Sequence, residues 1–324
     1  MEALVSVIIP IFNVGKFIGR CADSLMQQTL GDVEFIFVDD ASPDNSISVL
    51  KEVLTAYPER NARIVRHEKN KGLPAARNTG LDVATGEYVF HCDADDYVEP
   101  DMLETMHNKA KAEEADLVYC DFFITFERNE RYMSVGDFSK GDNALRAMLD
   151  GGMKYNVWNK LVHRSLYTDS GISFPSGHGM GEDMTMIMLA AQAEKIAYVP
   201  KAFYHYVKLN SNAYSNTFSQ RHIDDIRFNA DRIMAFLEAN YIDNIDEAIG
   251  LFKLNLKFPF LITDDKRMYE IWKEWYPEAN CFIDNANVSF RSKLLQKAAA
   301  KGQWWFVKLY YKIVYRTVYG LIYK

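Results

Sequence analysis

The stretch that most constrains this chain is Tyr88-Val-Phe-His-Cys-Asp-Ala-Asp-Asp96. Its largely apolar opening, Tyr88 to Cys92, predicts a buried strand. The strand runs into three acids, Asp93, Asp95 and Asp96. Side chains of an extended segment alternate faces, so Asp93 and Asp95 share one side and Ala94 points to the other. Acids at the carboxyl end of a buried strand stand where open α/β sheets take ligands. They are hard oxygen donors suited to Mg²⁺ or Mn²⁺, ions commonly held by one or two carboxylates plus a substrate's phosphates. A solvated acidic turn would carry the same residues, so the rest of the chain has to decide.

The chain before and after it alternates in one pattern. Val5 to Ile11 predicts a first buried strand. Phe17, Ile18, Cys21, Ala22, Leu25 and Met26 then recur at helical spacing to about Gln28. Val33 to Val38 is a second strand ending in Asp39-Asp40. The turn Ala41-Ser-Pro-Asp44 offers helix caps, and a helix follows to about Tyr57. Ala62 to His67 is a third strand, and Leu73 to Ala84 a short helix. After the acidic stretch come a helix from about Pro100 to Ala115 and a strand from Leu117 to Phe126; Pro100 suits a first helical turn. This alternation predicts an α/β fold, a mainly parallel sheet with helices on both faces.

The first strand-to-helix turn, Pro10-Ile-Phe-Asn-Val14, has neither the glycines of a dinucleotide fingerprint nor the Gly-Lys of a P-loop. A phosphate ligand must therefore be held by acids at strand ends and by a basic element near them. That element is Asn70-Lys-Gly-Leu-Pro-Ala-Ala-Arg-Asn-Thr-Gly80. Arg77, one turn into its helix, can serve acids as a bidentate partner or bind a phosphate. Asp39 suits hydrogen bonds from a base or ribose; Asp40 could do this or cap the next helix.

Past Phe126 the pattern loosens. Trp158-Asn-Lys-Leu-Val-His-Arg164 includes Lys160. Phe174-Pro-Ser-Gly-His-Gly-Met-Gly181, with His178, reads as a mobile loop able to act as a lid or acceptor contact. Glu182-Asp183 opens a helix, where acids are favoured by the dipole whatever their function. Strand character returns from Ile196 to Tyr206 and contains His205. The 324 residues suggest two domains or one large one. Cys21 and Cys92 lie in apolar runs as reduced core residues, and the N-terminus enters a strand with no basic n-region or cleavage site. Both fit a cytoplasmic chain without a signal peptide.

Six marks in order and spacing resemble the inverting nucleotide-sugar glycosyltransferases of family 2, with the GT-A fold. They are Val5-Ser-Val-Ile-Ile-Pro-Ile-Phe-Asn13; Val38-Asp-Asp-Ala-Ser42; Asn70-Lys-Gly72 with Ala76-Arg-Asn78 and Gly80; Gly86-Glu-Tyr-Val-Phe90; Asp93-Ala-Asp-Asp96; and Glu182-Asp183. The resemblance covers roughly residues 4–210. It implies a GT-A catalytic domain over 1–210, binding the nucleotide-sugar within about 1–100 and the acceptor within about 101–210, then a helical region over 211–324. It also implies roles. Pro10, Phe12 and Asn13 would lie against the nucleotide base, which Asp39 would bond. Asp93 would meet the ribose or donor sugar, and Asp95 a divalent metal, Mn²⁺ or Mg²⁺, on the diphosphate. Arg77 would steady the phosphates or the acid cluster, Asp183 would be the general base, and His205 would contact the metal or diphosphate. Some relatives carry an arginine two residues after that histidine; this chain has Val207, with Lys208 as a substitute.

The chemistry such a site must perform is specific. A departing diphosphate gathers negative charge, which a metal stabilises as a Lewis acid. The acceptor hydroxyl loses its proton to a carboxylate as it attacks, and attack from the opposite face inverts the anomeric centre. The acceptor would be a growing glycan or a lipid-linked one. A sugar-1-phosphate nucleotidyltransferase would want a Gly-rich, Arg-containing first loop. A non-catalytic binding protein would tolerate loss of Asp95 or Asp183.

The C-terminal segment differs in character. Helices are expected at Ile226 to Leu237 and Ala248 to Leu256, then a basic linker from Ser289 to Gln303. From Asn285 onward there are eight Lys or Arg and no Asp or Glu, in a chain of net charge −7. That asymmetry suggests a partner for the tail, and no nucleic-acid binding by the acidic body. In Trp304 to Lys324, Lys308, Lys312, Arg316 and Lys324 fall on one helical stripe among aromatic and aliphatic residues. Such a helix suits an anionic membrane surface at the inner face of the cell membrane. The competing occupants are the catalytic domain or a second copy of the chain, making a homodimer.

Overall fold

A computed structural model describes residues 3–141, 143–209, 219–240 and 245–314. They form two compact units: residues 1–144 with 155–237, and residues 145–154 with 238–324.

The first unit is built on a sheet whose strands and helices follow the predicted alternation. In order they are β1 (Val5–Ile11), α1 (Ile18–Met26), β2 (Val33–Asp39), α2 (Ser46–Leu54), β3 (Asn61–Arg66), α3 (Leu73–Val83), β4 (Tyr88–His91), β5 (Tyr97–Val98), α4 (Met102–Glu113), β6 (Leu117–Thr125) and β7 (Glu130–Met133). After α5 (Asn143–Asp150), which leads into the other unit, come β8 (Lys160–His163), α6 (Ser165–Thr168), a 3₁₀ turn at Glu182–Met184, α7 (Thr185–Gln192), β9 (Ile196–Val207) and α8 (Gln220–Asn240).

The sheet order is β3-β2-β1-β4-β8-β6-β9-β5, with β7 on β6. Strands β3, β2, β1 and β4 are parallel. Beyond them β8 runs antiparallel to β4 and β6, while β6 and β9 are again parallel. Every residue of β1, β2 and β4 is buried, as expected of strands covered on both faces. Helix α3 lies so close to β1 that a Cβ on Gly80 would sit 2.3 Å from Ile8 Cγ2. Only glycine allows this approach, and it brings the helix carrying Arg77 down onto the sheet.

Three short strands escape the sequence pattern. The acidic stretch leaves the sheet at His91 and turns: Asp96 N donates to Asp93 O at 3.1 Å, and directly afterwards β5 pairs antiparallel with β9. A two-residue strand has no measurable periodicity. Strands β7 and β8, of four residues each, escape for the same reason.

The second unit is helical. It contains α9 (Asp246–Lys257), α10 (Lys266–Glu274), α11 (Phe290–Ala300) and α12 (Trp304–Tyr310), with 3₁₀ turns at Phe258–Leu261 and Pro277–Phe282. Lys257 is fully buried, and its ammonium donates to the carbonyls of Trp275 and Tyr276 and to Asn280 Oδ1. The expected basic linker is instead mostly helix α11. Ser289 caps it, its Oγ accepting from Ser292 N at 3.2 Å. The stripe residues Arg316 and Lys324 lie outside the described residues.

Candidate active site

The register sets the site's floor. Ile11 of β1 lies opposite Asp39 of β2, and Ile8 opposite His91 of β4. The carboxyl ends of β2, β1 and β4 therefore stand side by side, bringing Asp39, Pro10-Ile-Phe-Asn13 and Asp93 to one edge. Pro10 is buried in β1, whereas the Phe12 ring is 47% exposed. Asn13 takes the left-handed conformation (φ 57°), and its N–H donates to Ser42 Oγ at 2.8 Å. Asn is among the residues that tolerate this region.

Asp39 is buried. Its Oδ1 accepts from Ser42 N at 2.8 Å and its Oδ2 faces Arg66 Nε at 3.2 Å. Asp40, left open by the sequence, holds the loop before α3. It accepts from Lys71 N and Gly72 N at 2.7 and 2.8 Å and pairs with His67 Nδ1 at 2.7 Å. Those bonds fix the start of α3 and so the position of Arg77.

Arg77 joins the two halves of the site. Its guanidinium is buried, the residue being 1% exposed. Nη2 donates to Asp93 Oδ1 at 3.0 Å; Nη1 donates to Asp183 Oδ1 at 3.0 Å and Glu182 Oε1 at 3.1 Å. One cation thus bridges acids far apart in the chain, with Asp93 and Asp183 each 27% exposed at the side chain. Three carboxylates around one guanidinium leave an excess of negative charge. Burial, opposed by Arg77, raises the Asp183 carboxyl above the ordinary range. Burial and then Asp183 raise Glu182 as well. Lys160, buried with its ammonium on Asn156 O and Asn159 Oδ1, is pulled down to about 7 by burial, with Asp183 opposing.

The acids of the turn divide by exposure. Asp93 and Asp95 are half-buried, and Ala94 and Asp96 buried. Asp96 is spoken for: Tyr204 Oη and Val207 N each donate to it at 2.7 Å. Burial, then Asp95 and Asp93, push its carboxyl well up. Asp93 and Asp95 are the more accessible hard-oxygen donors of the three. Among the described residues no three His, Cys, Asp or Glu converge on a ready-made metal cage. Two half-buried carboxylates fit a divalent ion that also binds substrate phosphates, as Mg²⁺ commonly does.

His205, Lys208 and the loop before Glu182 each have partners of their own. His205 is buried in a stack between Tyr97 (4.1 Å) and Phe123 (4.7 Å). Its nitrogens pair with Glu99 Oε1 at 2.9 Å and Glu130 Oε1 at 2.8 Å. Binding a metal would require breaking one of these, so its surroundings are those of a satisfied core histidine. Lys208 donates to Tyr206 Oη and lies over that ring. The loop before Glu182 is tied down. Asn78 clamps Phe174 through both N–H and C=O, each bond 2.8 Å. From α8, Asp225 pairs with His178 Nδ1 at 3.1 Å and Asn229 Nδ2 donates to Met180 O at 3.0 Å. His178 also stacks on Phe228 at 3.7 Å. The polar side chains of Asn78, Asp225 and Asn229 gave no local signal of these distant pairings.

Residues 6–182 match the description Glycosyl transferase family 2. The chain is 27% identical over 308 residues to Glycosyltransferase GlyG of Streptococcus pneumoniae, covering 91% of this chain and 96% of that one. It is 30% identical over 294 residues to Cholesterol galactosyltransferase of Borreliella burgdorferi, covering 83% and 80%. Among solved structures, S. aureus TarS 1-349 in complex with UDP-GlcNAc has the same fold, with a TM-score of 0.71 over 96% of this chain and 92% of that one at 21% identity.

Proposed function

We propose that this chain, which belongs to glycosyl transferase family 2 and is a glycosyltransferase, moves one sugar from a nucleoside diphosphate sugar to an acceptor hydroxyl with inversion. The observation that carries this is the single Arg77 guanidinium shared by Asp93 and Asp183. It holds two partly exposed carboxylates beside one another, an arrangement that supports one as a donor-side acid and the other as a base. In this reading Pro10, Phe12, Asn13 and Asp39 receive the nucleotide base, and Asp93 meets the ribose or donor sugar. Asp95, with Asp93 beside it, would hold Mn²⁺ or Mg²⁺, which when bound supplies Lewis-acid stabilisation of the departing diphosphate. Asp183 takes the acceptor proton, and its raised affinity for a proton makes it a stronger base than an ordinary carboxylate. TarS has been solved with UDP-GlcNAc, and one relative is named Poly(ribitol-phosphate) beta-glucosyltransferase. The first supports a UDP-sugar donor, the second a cell-surface glycan acceptor.

A panel of nucleotide sugars tested by thermal shift, with and without Mn²⁺, checks this reading. A ligand at a hundredfold excess over Kd stabilises the native state by about 2.7 kcal/mol, a shift of several degrees. The Mn²⁺-dependent part of the shift should vanish in Asp95→Ala. Released nucleoside diphosphate marks glycosyl transfer, whereas pyrophosphate chemistry would mark a nucleotidyltransferase. A panel that shifts nothing and turns over nothing would sink the assignment.

A second reading concerns α12. Val307 is buried and Trp304 stacks on Tyr269 at 5.4 Å, so one face packs on its own unit. Trp305, Leu309 and Ile313, at four-residue intervals, are 70%, 47% and 54% exposed, with Lys312 exposed beside them. No helix among the described residues is long and apolar enough to cross a membrane. An exposed apolar stripe beside lysines favours a peripheral seat on an anionic surface, at the inner face of the cell membrane. Replacing Trp305, Leu309 and Ile313 with serine should abolish co-sedimentation with anionic lipid vesicles. Binding that persists in the triple variant refutes the membrane seat.

A further inference from the structure

Behind the Arg77 guanidinium lies a second cluster that the reaction itself does not use. Arg77 Nε, both nitrogens of His91 and the hydroxyl of Tyr167 are buried and have no hydrogen-bond partner among the described residues. They are neighbours. His91 meets the Phe174 ring edge-on at 5.1 Å and the Tyr167 ring at 6.2 Å. Arg77 Cζ lies 5.4 Å from the centre of the same Phe174 ring. Each of the three side chains is therefore arranged around Phe174, whose backbone Asn78 clamps.

Buried polar atoms are rarely left unpaired, because each orphan gives up its hydrogen bonds to water with nothing in return. Four in one place point to a shared partner that supplies both donor and acceptor. The inventory is specific. Arg77 Nε–H can only donate. In its neutral form the His91 ring offers one N–H and one lone pair. The Tyr167 hydroxyl can do both. A neutral hydrogen-bonding molecule completes such a set: a cation would be repelled by the guanidinium, and the guanidinium already has three carboxylates as counter-charges. Internal waters commonly do this, making about three hydrogen bonds each.

We propose that His91 and Tyr167 hold internal water against Arg77 Nε, and that both are positioning residues which fix the guanidinium between Asp93 and Asp183. The consequence rests on the glycosyl-transfer reading above. The front edge of Arg77 sets where the base and the donor-side acid stand. Pinning its Nε keeps the fork from rotating about its long stem. Releasing it lets Asp183 shift without removing any group that binds donor.

Two measurements test this. A crystal structure of the full chain should show ordered water within hydrogen-bond distance of Arg77 Nε and of His91 or Tyr167. Direct bonds among these side chains, or a dry pocket, would overturn the proposal whatever the reaction proves to be. In activity, His91→Phe should lower kcat about 10- to 100-fold with the donor KM unchanged. His91→Gln, which can again donate and accept, should recover most of it. A variant pair that tracks only melting temperature, with kcat at the wild-type level, would leave His91 a packing residue and refute the positioning role. Wild-type protein without transferase activity would instead refute the function, leaving the crystallographic test of the water intact.

Discussion

Asp183→Asn loses about 10²- to 10⁴-fold in kcat, the contribution typical of a positioned general base, while donor binding is kept. Asparagine is nearly isosteric and its oxygen can still accept from Arg77 Nη1, so the shape of the site survives. What disappears is a carboxylate basic enough to take the acceptor proton in the proposed reaction. The same substitution should leave melting temperature unchanged or raised at neutral pH. The reason lies in the sign of the shift. Asp183 and Glu182 both bind protons more tightly in the folded chain than an ordinary carboxyl does. Between the unfolded and folded values the native state holds more protons, so their contribution to stability falls as pH rises. Melting curves of the wild type and of Asp183→Asn across that window should converge at low pH and separate above it. Wild-type kcat should fall as pH drops through the raised value, giving an acid limb above the usual aspartate range. Undiminished turnover in Asp183→Asn would remove the residue from the reaction.

The order of elements was legible because it is written locally. Buried parallel strands such as Val5–Ile11 and Val33–Asp39 are largely apolar runs, and the helices between them keep their own period. The acids at strand ends were legible for the same reason, since a parallel sheet gathers its carboxyl edges in one place. Distant pairings left no such trace. Nothing near His205 announces that Glu99 and Glu130 will take both its nitrogens. Nothing near Asn78 announces Phe174, 96 residues away. Aspartate alternation also assigned too much to Asp93–Asp96 as a strand, since the chain turns there; exposure still separates Asp93 and Asp95 from Ala94. Ser289 caps α11, yet the basic residues that follow it are equally suited to a solvated linker, so composition alone does not separate the two.

Arg77→Met should be the most damaging substitution in the first unit. Removing one partner of a buried ionic cluster costs about 3–5 kcal/mol, because the remaining charges stay buried without compensation. Here three carboxylates, Asp93, Glu182 and Asp183, lose their shared donor together. For a unit of this size that is a fall of roughly 10 °C or more in melting temperature. Arg77→Lys keeps the charge but not the fork. A single ammonium reaching Asp93 on one side and Asp183 on the other must abandon the planar geometry that holds both at 3.0 Å. We expect most of the stability to return with lysine, but kcat to stay about 100-fold down, since small misplacements of a reacting group have effects of that order. The pH dependence separates charge from packing. Arg77 favours the charged form of Asp183 and Glu182, so without it those carboxyls hold protons to still higher pH. The Met variant's deficit should therefore shrink as pH falls toward the unfolded carboxyl range, where both states are protonated. Calorimetry of wild type, Arg77→Lys and Arg77→Met between about pH 4 and pH 8 reads this directly. A deficit that does not change with pH would mean that Arg77 serves the fold by volume alone, and that the two acids it joins stand together for some other reason.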